Sequence, residues 1–315
     1  MSSTLRFRKM YIFTRPRIFL CILVFSTVLV VSACGNKNTP EPAAPPKEPS
    51  PEATMTSLPE SSPVSPVTPA PNLSPTPVTW WRPKAGLTWQ WQIGDNEIDT
   101  SIEAQVYDVD LYVDQAVIDK LHARGAKVIC YISVGSREDW RPDKDQFPKE
   151  VLGKDYDGWP GEKWLDIRQI DKLAPIMRAR FDLCKTKGFD AIEPDNMEVY
   201  DNETGFPLTY ADQLKYALWL AEEAHARALA IGQKNASDQT KDLVKLYDFA
   251  ITEDCFAYGW CGEMSPYIQA GKPVFAAEYT DMDIDFTSAC KVAKQLGLSM
   301  ILKERDLHAW RETCK

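Results

Sequence analysis

Short apolar runs alternate along the chain with longer amphipathic segments from residue 88 onward. The short runs have the length and composition of β-strands, and there are eight of them: 88–92, 106–111, 127–133, 190–195, 228–233, 249–253, 273–279 and 299–303. Helical periodicity lies between most of them, at 115–124, 170–187, 210–227 and 286–296. Strands that alternate with helices form parallel sheets. Eight such units predict an α/β fold, the (β/α)8 TIM barrel.

Two segments fit this alternation less well. The link at 93–105 is short for a helix, and the run at 164–167 is a ninth strand candidate. We place the ninth run in the long excursion between the third and fourth barrel strands. If it is instead a barrel strand, the numbering of the later strands shifts by one.

The first 79 residues have a different pattern and are predicted to precede the barrel. Basic residues followed by an apolar run at 18–31 are typical of a secretory signal peptide, because the run is too short to span a bilayer comfortably. The run ends in Val31-Ser-Ala-Cys34, which resembles a bacterial lipobox, so residues 1–33 would be removed and Cys34 would carry lipid. An uncleaved signal anchor is the alternative. Residues 34–79 are rich in Pro, Ser and Thr and predict a disordered tether, which leaves 80–315 as the barrel domain.

Charge and cysteine content narrow the partners and cofactors. The net charge is −9, and removal of a basic leader would make it more negative, which argues against nucleic acid and favours a cationic ligand. An even number of cysteines in an exported domain predicts disulfides, here among Cys130, Cys184, Cys255, Cys261, Cys290 and Cys314. The connectivity is not determined by sequence. Cys255 with Cys261 would close a short loop and Cys290 with Cys314 would tie down the C-terminus, which leaves Cys130 with Cys184. No CxxC pair occurs and the histidines are scattered, so neither a metal nor a cofactor is predicted.

Two of the predicted strands end in acidic residues. Residues 188–196 read GFDAIEPDN, and residues 249–255 read FAITEDC. Side chains alternate along a strand, so Glu193 and Asp195 share a face and Asp195 lies nearer the exit. Burying such acids is costly unless a neighbouring cation neutralises them, which is one alternative, or unless chemistry uses them. At the mouth of a barrel, Asp195 and Glu253 would face each other as the two carboxylates of a glycosidase do.

Six motifs in order along the chain resemble glycoside hydrolase family 114, the endo-α-1,4-polygalactosaminidases. They are TWQWQI at 88–93, YDVDL at 107–111, VICYISVG at 128–135, GWPGEKWLDIR at 158–168, EPDN at 193–196 and AAEY at 276–279. The resemblance covers 85–310 and implies a barrel that cleaves α-1,4-linked galactosamine polymers with Asp195 and Glu253 as catalytic pair. By similarity to barrel α-glycosidases, Asp195 would be the nucleophile and Glu253 the general acid/base. The family's cationic sugar would gain Coulomb attraction beside Asp108, Asp110 or Asp166.

Further residues near strand ends are candidates for substrate binding. Trp89 and Trp91 share a strand face and could form an aromatic platform for a sugar, or they could pack in the core. Tyr131 and Tyr279 could donate to sugar hydroxyls or cap the core. Lys234 could bind substrate, hold a carboxylate ionised or lie in solvent. The remaining candidates are Asp108, Asp110, Asp166, Glu193, Asn196 and Glu278. Asp166 could instead pair with Arg168.

The sequence therefore predicts a monomeric glycosidase that is exported and lipid-anchored to the bacterial cell envelope, with its barrel on the extracytoplasmic side. It would cleave cationic or partly acetylated galactosamine polysaccharide at internal bonds by a retaining two-carboxylate mechanism. A non-catalytic carbohydrate-binding lipoprotein on the same barrel is the alternative. A hydrolase of another bond is a weaker one, because the chain contains no Gly-x-Ser-x-Gly elbow, P-loop or GxGxxG motif.

Overall fold

The computed structural model of the protein describes residues 79–94 and 97–314. These residues belong to one compact unit. The predicted signal peptide, the lipidation site at Cys34 and the Pro-rich tether lie outside the described residues. In the part of the chain that is described, no helix is both long and apolar enough to cross a bilayer.

The described residues form strands and helices close to those predicted. The strands are β1 (Trp89–Gln92), β2 (Val106–Asp110), β3 (Lys127–Ser133), β4 (Ser136–Glu138), β5 (Leu152–Asp155), β6 (Glu162–Leu165), β7 (Ala191–Asp195), β8 (Ala230–Lys234), β9 (Phe249–Glu253), β10 (Val274–Tyr279), β11 (Ser299–Lys303) and β12 (Glu312–Thr313). The α-helices are α1 (Gln115–Ala123), α2 (Ile170–Thr186), α3 (Tyr210–Ala226), α4 (Thr240–Leu243), α5 (Ser265–Gln269) and α6 (Phe286–Leu296).

The main sheet is curled and has the strand order β1-β2-β3-β7-β8-β9-β10-β11-β12. The first eight strands of that order pair in parallel, and they are the eight strands that the apolar runs predict. Strand β12 pairs with β11 antiparallel. The loop that precedes β12 contacts β1 through side chains: Gln90 Nε2 donates to Ala309 O at 2.7 Å, and Arg311 donates to Trp89 O. The predicted barrel architecture is confirmed, and the C-terminal segment lies at the seam between its first and last parallel strands.

A second, three-stranded sheet lies in the excursion between β3 and β7. Its order is β4-β6-β5, and both pairings are antiparallel. Strand β6 includes the first two residues of the ninth run, 164 and 165, and does not belong to the main sheet, so the prediction that this run is not a barrel strand is confirmed. The numbering of the later barrel strands is therefore the predicted one.

Two apolar layers hold the barrel together. Side chains from alternate strand positions, such as Trp89, Ile129, Phe249 and Phe275, fill the interior, and a larger cluster packs between the strands and the helices. Gly232 on β8 is required there, because a Cβ at this position would collide with the Phe249 ring.

Short sequence features determine where α3 begins and where the chain turns from α3 into β8. Thr209 and Asp212 form a reciprocal capping box that begins α3. Ala228 adopts a left-handed φ of 57°, which turns the chain after α3. As a result, β8 begins two residues later than the apolar run predicts.

Trp80 and Arg82, among the first described residues, are bound to Asp248 just before β9. This is the end of the barrel opposite to the strand ends that carry Asp195 and Glu253. Asp248 accepts hydrogen bonds there from Trp80 Nε1 at 3.1 Å and from Arg82 at 2.8 Å. His225 Nε2 lies 2.9 Å from the same carboxylate, and its ring stacks on Trp80 with 4.0 Å between centroids. Trp80 and Arg82 are thus held against the N-terminal end of β9.

All six domain cysteines are paired. Cys130 is bonded to Cys184, Cys255 to Cys261 and Cys290 to Cys314. These are the three pairings considered from sequence. The first links β3 to α2, the second closes the loop after β9 and the third holds the C-terminal segment to α6.

Candidate active site

Three charged residues end three adjacent strands of the barrel. Asp195 is the last residue of β7, Lys234 of β8 and Glu253 of β9. The C-terminal ends of parallel strands lie at one edge of a sheet, so their inward side chains converge. The two acids therefore flank β8 on the same side of the barrel, with Lys234 between them, rather than facing each other from opposite walls.

Lys234 is the cation that the three inward carboxylates share. Its side chain is 2% exposed, and its Nζ lies 2.9 Å from Glu193 Oε1, 3.0 Å from Asp195 Oδ1 and 3.2 Å from Glu253 Oε2. Its ammonium also lies 4.7 Å from the centre of the Trp91 ring. Burial alone would lower the pKa of Lys234, but Asp195, Glu193 and Glu253 raise it well above its ordinary value. Lys234 is thus a buried, permanently charged residue and not a solvated one.

The shared lysine limits the separation of the two acids. Asp195 Oδ1 and Glu253 Oε2 lie 3.0 and 3.2 Å from the same nitrogen, so these two oxygens are at most about 6.2 Å apart. Retaining glycosidases have carboxyl groups about 5–5.5 Å apart, and inverting ones about 6.5–9.5 Å apart. The bound applies to the two oxygens that face Lys234 and not to the carboxyl groups as a whole, so it is compatible with either geometry.

A tyrosine holds the outer oxygen of each acid. The Tyr131 hydroxyl donates to Asp195 Oδ2 at 3.0 Å, and the Tyr279 hydroxyl donates to Glu253 Oε1 at 2.5 Å. Burial and then the adjacent carboxylate raise the pKa of both tyrosines well above the ordinary value, so both stay protonated donors. Each acid is therefore fixed by one phenol and one shared ammonium.

A second carboxyl pair lies deeper in the barrel. Asp108 and Glu193 are both fully buried. Both oxygens of Asp108 and Oε2 of Glu193 accept no hydrogen bond in the described structure. Burial raises the pKa of both groups, and the nearby Glu193 raises that of Asp108 further. Burial beside a like charge favours the neutral form of Asp108, whereas Glu193 contacts the Lys234 ammonium.

The predicted tryptophan platform is corrected by the structure. Trp89 and Trp91 are each 1% exposed, so neither ring has a free face for a sugar. Trp89 packs on Phe275 with 5.3 Å between centroids, and its indole N–H donates to Ser299 O at 2.9 Å, at the start of β11. Trp91 lies one layer higher, beneath Lys234. Both belong to the barrel core, the alternative that the sequence left open.

Three other substrate-binding candidates are engaged by protein groups. Asp110 Oδ2 lies 2.6 Å from Arg141. Asp166 accepts two hydrogen bonds from Arg168, at 2.7 and 2.9 Å, which is the pairing considered as its alternative. Asn196 has a left-handed φ of 62°, and its amide donates to Ser133 Oγ at 2.9 Å. These contacts fix the three side chains around the barrel mouth, and Asp166 takes the alternative that the sequence left open.

Glu278 supports the loop that follows Glu253. It is fully buried, and its oxygens accept from Phe256 N at 2.7 Å and Ala257 N at 3.1 Å. On β10, Ala277 and Tyr279 face the barrel interior, so Glu278 faces outward. Its predicted role in substrate binding is therefore corrected to one of loop support.

Replacing Glu278 by glutamine should reduce the pH dependence of stability. Burial raises the pKa of Glu278 from 4.5 to about 7, so its contribution to stability is fully present below pH 4.5 and is lost as pH rises through about 7. For a buried group this loss is at most ~3 kcal/mol. Urea unfolding at pH 5 and pH 8 should show a smaller decrease in the free energy of unfolding for Glu278→Gln than for the wild type. Glu203→Gln, at an exposed position, is the control, and equal decreases in all three proteins would contradict the prediction.

Three residues near the two acids were not predicted from sequence, because they do not lie at the ends of the predicted barrel strands. Tyr156 and Glu162 come from the excursion, and Glu198 follows β7. Burial and then the Asp195 carboxylate raise the pKa of Tyr156 well above its ordinary value. Burial raises the pKa of Glu162 to about 8 and that of Glu198 to about 7. Glu162 lies within a motif that the sequence displays, whereas Glu198 has no local pattern that marks it.

A cavity of about 560 Å³ lies in the excursion between β3 and β7. Tyr156, Trp159, Asp139 and Asp157 contribute to its lining, and neither Asp195 nor Glu253 does. The charge of Asp195 helps to raise the pKa of Tyr156, so Tyr156 is the lining residue that also senses the acids.

The described residues contain one group of three possible metal ligands, formed by Cys255, Cys261 and Glu278. The two cysteines are joined in a disulfide, so neither offers a thiolate. Glu278 is occupied by backbone amides. This group does not fit a metal ion.

Comparisons with known proteins agree with this geometry. The chain matches the sequence model of "Glycoside-hydrolase family GH114" over residues 70–315. It is 40% identical to Ega3 of Aspergillus fumigatus, whose crystal structure is a complex with galactosamine; the match has a TM-score of 0.71 and covers 75% of this chain and 98% of Ega3. The glycoside hydrolase domain of PelA from Pseudomonas aeruginosa, at 11% identity and a TM-score of 0.56, shares the fold over 72% of this chain and 98% of its own.

A curated relative from Deinococcus radiodurans, described as an uncharacterized protein, is 27% identical over 310 residues, which are 89% of this chain and 96% of the relative. The family match spans most of the chain, including the whole barrel with its carboxylate pair. The chain therefore belongs to glycoside-hydrolase family GH114 and is a glycoside hydrolase.

Proposed function

We propose that the protein cleaves α-1,4-linked galactosamine-containing polysaccharide at internal bonds, with Asp195 as nucleophile and Glu253 as general acid/base. The observation that carries the proposal is the placement of these two carboxylates on either side of Lys234 at the barrel mouth. The 40% identity with Ega3, which was solved with galactosamine, supports the substrate class.

In the first step, an oxygen of Asp195 attacks the anomeric carbon while Glu253 gives its proton to the leaving glycosidic oxygen. The bond to the leaving sugar breaks, and a covalent glycosyl-enzyme ester forms at Asp195. In the second step, Glu253 accepts a proton from water, the water oxygen attacks the anomeric carbon and Asp195 is released as a carboxylate. The two steps together consume one water and restore both residues.

The contacts around the acids support this division of roles. Asp195 accepts hydrogen bonds from the Lys234 ammonium and the Tyr131 hydroxyl, which favour a charged, oriented nucleophile. Lys234 approaches Glu253 less closely, at 3.2 Å. The Tyr279 hydroxyl and the side-chain amide of Asn235, at 3.4 Å, orient Glu253.

The acidic walls of the mouth support a cationic substrate. Asp195, Glu253, Glu162 and Glu198 are near one another, and Lys234 is already shared among three carboxylates. An entering ammonium group would reduce the repulsion among these acids. A partly acetylated polymer would offer such groups only at its free-amine sugars.

The protein is further proposed to be exported, lipidated at Cys34 and monomeric, with a tether that precedes the barrel. The three disulfides support an oxidising compartment outside the cytoplasm. Palmitate labelling of the expressed chain, compared with Cys34→Ala, tests the lipid anchor directly.

Digestion of polygalactosamine with the purified barrel domain tests the activity. We expect oligosaccharides of mixed length early in the reaction, which indicates internal cleavage, and new reducing ends that first appear as the α-anomer in proton NMR. A β-anomer at early times would overturn the retaining mechanism. Tight binding of the polymer without any product would overturn the activity and favour the non-catalytic lipoprotein.

A further inference from the structure

Glu198 is a carboxylate at the mouth that the catalytic scheme leaves unused. Its Oε1 accepts a hydrogen bond from Ala236 N at 3.0 Å. Asn235 and Ala236 adopt left-handed φ values of 44° and 47°, which fold the chain after β8 so that this amide points at Glu198. The side chain is consequently fixed between the loops that follow Asp195 and Lys234.

The other oxygen, Oε2, has no hydrogen-bond partner among residues 79–94 and 97–314, and it is not one of the buried atoms sealed from solvent. One face of Glu198 is therefore held by the protein, and the other is free toward the mouth. A ligand that enters the mouth can reach this oxygen.

Glu198 forms no ion pair within the described structure, whereas most acids around it do. Asp110 and Glu138 pair with Arg141, and Asp254 pairs with Arg305. Glu193, Asp195 and Glu253 share Lys234. Burial raises the pKa of Glu198 to about 7; the negative charges of Asp195 and Glu253 add to this rise, and the more distant Lys234 only partly opposes it. Its surroundings would be stabilised by a positive charge supplied from outside the protein.

Resting on the proposed function, we propose that Glu198 binds the ammonium group of a galactosamine unit next to the scissile bond and so selects de-N-acetylated sugar at that position. An N-acetyl group carries no charge and is bulkier, so it would leave the carboxylate without its cation. Glu162, which also lies near Asp195, is less suited to this role. It accepts a hydrogen bond from Ser136 Oγ, and its pKa of about 8 keeps it mostly neutral at pH 7.

Glu198→Gln isolates the charge, because the glutamine side chain keeps an oxygen that can accept from Ala236 N. A charge-assisted hydrogen bond is worth enough that its loss should reduce kcat/KM on fully de-N-acetylated polygalactosamine by about 10- to 100-fold. On partly acetylated polymer, mass spectrometry of the products should show that the variant loses the wild-type preference for free-amine sugars at newly formed ends. Glu203→Gln, which removes an exposed carboxylate from the surface, is the matched control and should retain both rate and preference.

The outcomes separate the two proposals. If the wild type does not cleave polygalactosamine, the proposed function fails, whatever Glu198 does. If the wild type cleaves it and Glu198→Gln keeps the same rate and the same end-group preference, the role of Glu198 is wrong. If Glu198→Gln slows both substrates equally and lowers Tm, Glu198 holds the Ala236 turn only, and the specificity proposal is likewise overturned.

Discussion

Asp195→Asn should reduce kcat on polygalactosamine by at least roughly 10⁴-fold, because an amide oxygen is a poor nucleophile and the two other carboxylates that contact Lys234 cannot replace it. Glu253 is held by Tyr279 and Lys234 on the far side of β8. Glu193 is fully buried one layer below and cannot reach a sugar. The single amide oxygen can accept from only one of the two donors, either Tyr131, which now contacts Oδ2, or Lys234, which now contacts Oδ1. Circular dichroism and Tm therefore have to show that the loss of activity does not arise from unfolding.

Glu253→Gln should behave differently, because an acid is needed only where the leaving group must be protonated. On the polymer, kcat should fall roughly 10²- to 10⁴-fold. With an aryl α-galactosaminide that has a strongly acidic phenol, the first step no longer needs a proton donor. A burst of phenol should then appear in Glu253→Gln but not in Asp195→Asn.

Asp166→Asn is a suitable control, since this residue pairs with Arg168 in the excursion and has no part in the proposed chemistry. Its activity should remain within about 3-fold of the wild type, a change below ~1 kcal/mol. Full polymer cleavage by either Asp195→Asn or Glu253→Gln, with wild-type circular dichroism and Tm, would remove that residue from the mechanism.

The strand ends could be predicted from sequence because two simple regularities determine them. Side chains alternate along a strand, and parallel strands end at one edge of their sheet. Applied to the apolar runs, these rules place Asp195, Lys234 and Glu253 together, and the structure has them as the last residues of β7, β8 and β9. The same rules also identify Tyr131 and Tyr279, whose hydroxyls donate to Asp195 and Glu253.

The sequence did not predict the contacts of residues whose place depends on their depth in the barrel or on the course of a loop. Trp89 and Trp91 face inward as alternation requires, but β1 is only four residues long, so both rings lie below the mouth and pack in the core. Asp166 and Asn196 are determined by loops whose courses no local period specifies. Glu198 and Tyr156 reach the site from such loops, which is why strand patterns could not reveal them.

Lys234→Met should abolish most of the activity and also destabilise the fold. Methionine has a similar length but no charge, so three carboxylates would remain within a few ångströms of one another without a cation. Removing one partner of a buried ion pair destabilises a protein by about 3–5 kcal/mol, which we expect in urea unfolding at pH 7. The repulsion should be relieved by uptake of a proton, and Asp195 would then be less available as a charged nucleophile. We expect kcat to fall by about 10³-fold, which corresponds to ~4 kcal/mol.

Lys303→Met separates the loss of charge at the site from the loss of a buried lysine as such. Lys303 ends β11 in the same barrel and is also fully buried, but its ammonium donates to the carbonyls of His308 and Trp310 rather than to the acids. Burial lowers the pKa of Lys303 to about 7. Its replacement leaves two carbonyl groups without a donor, which should destabilise the fold by about 1–3 kcal/mol while kcat stays within about 3-fold. If both variants lost stability and kcat in the same proportion, Lys234 would be a structural residue only; a selective loss of kcat in Lys234→Met would show that the nucleophile depends on the shared ammonium.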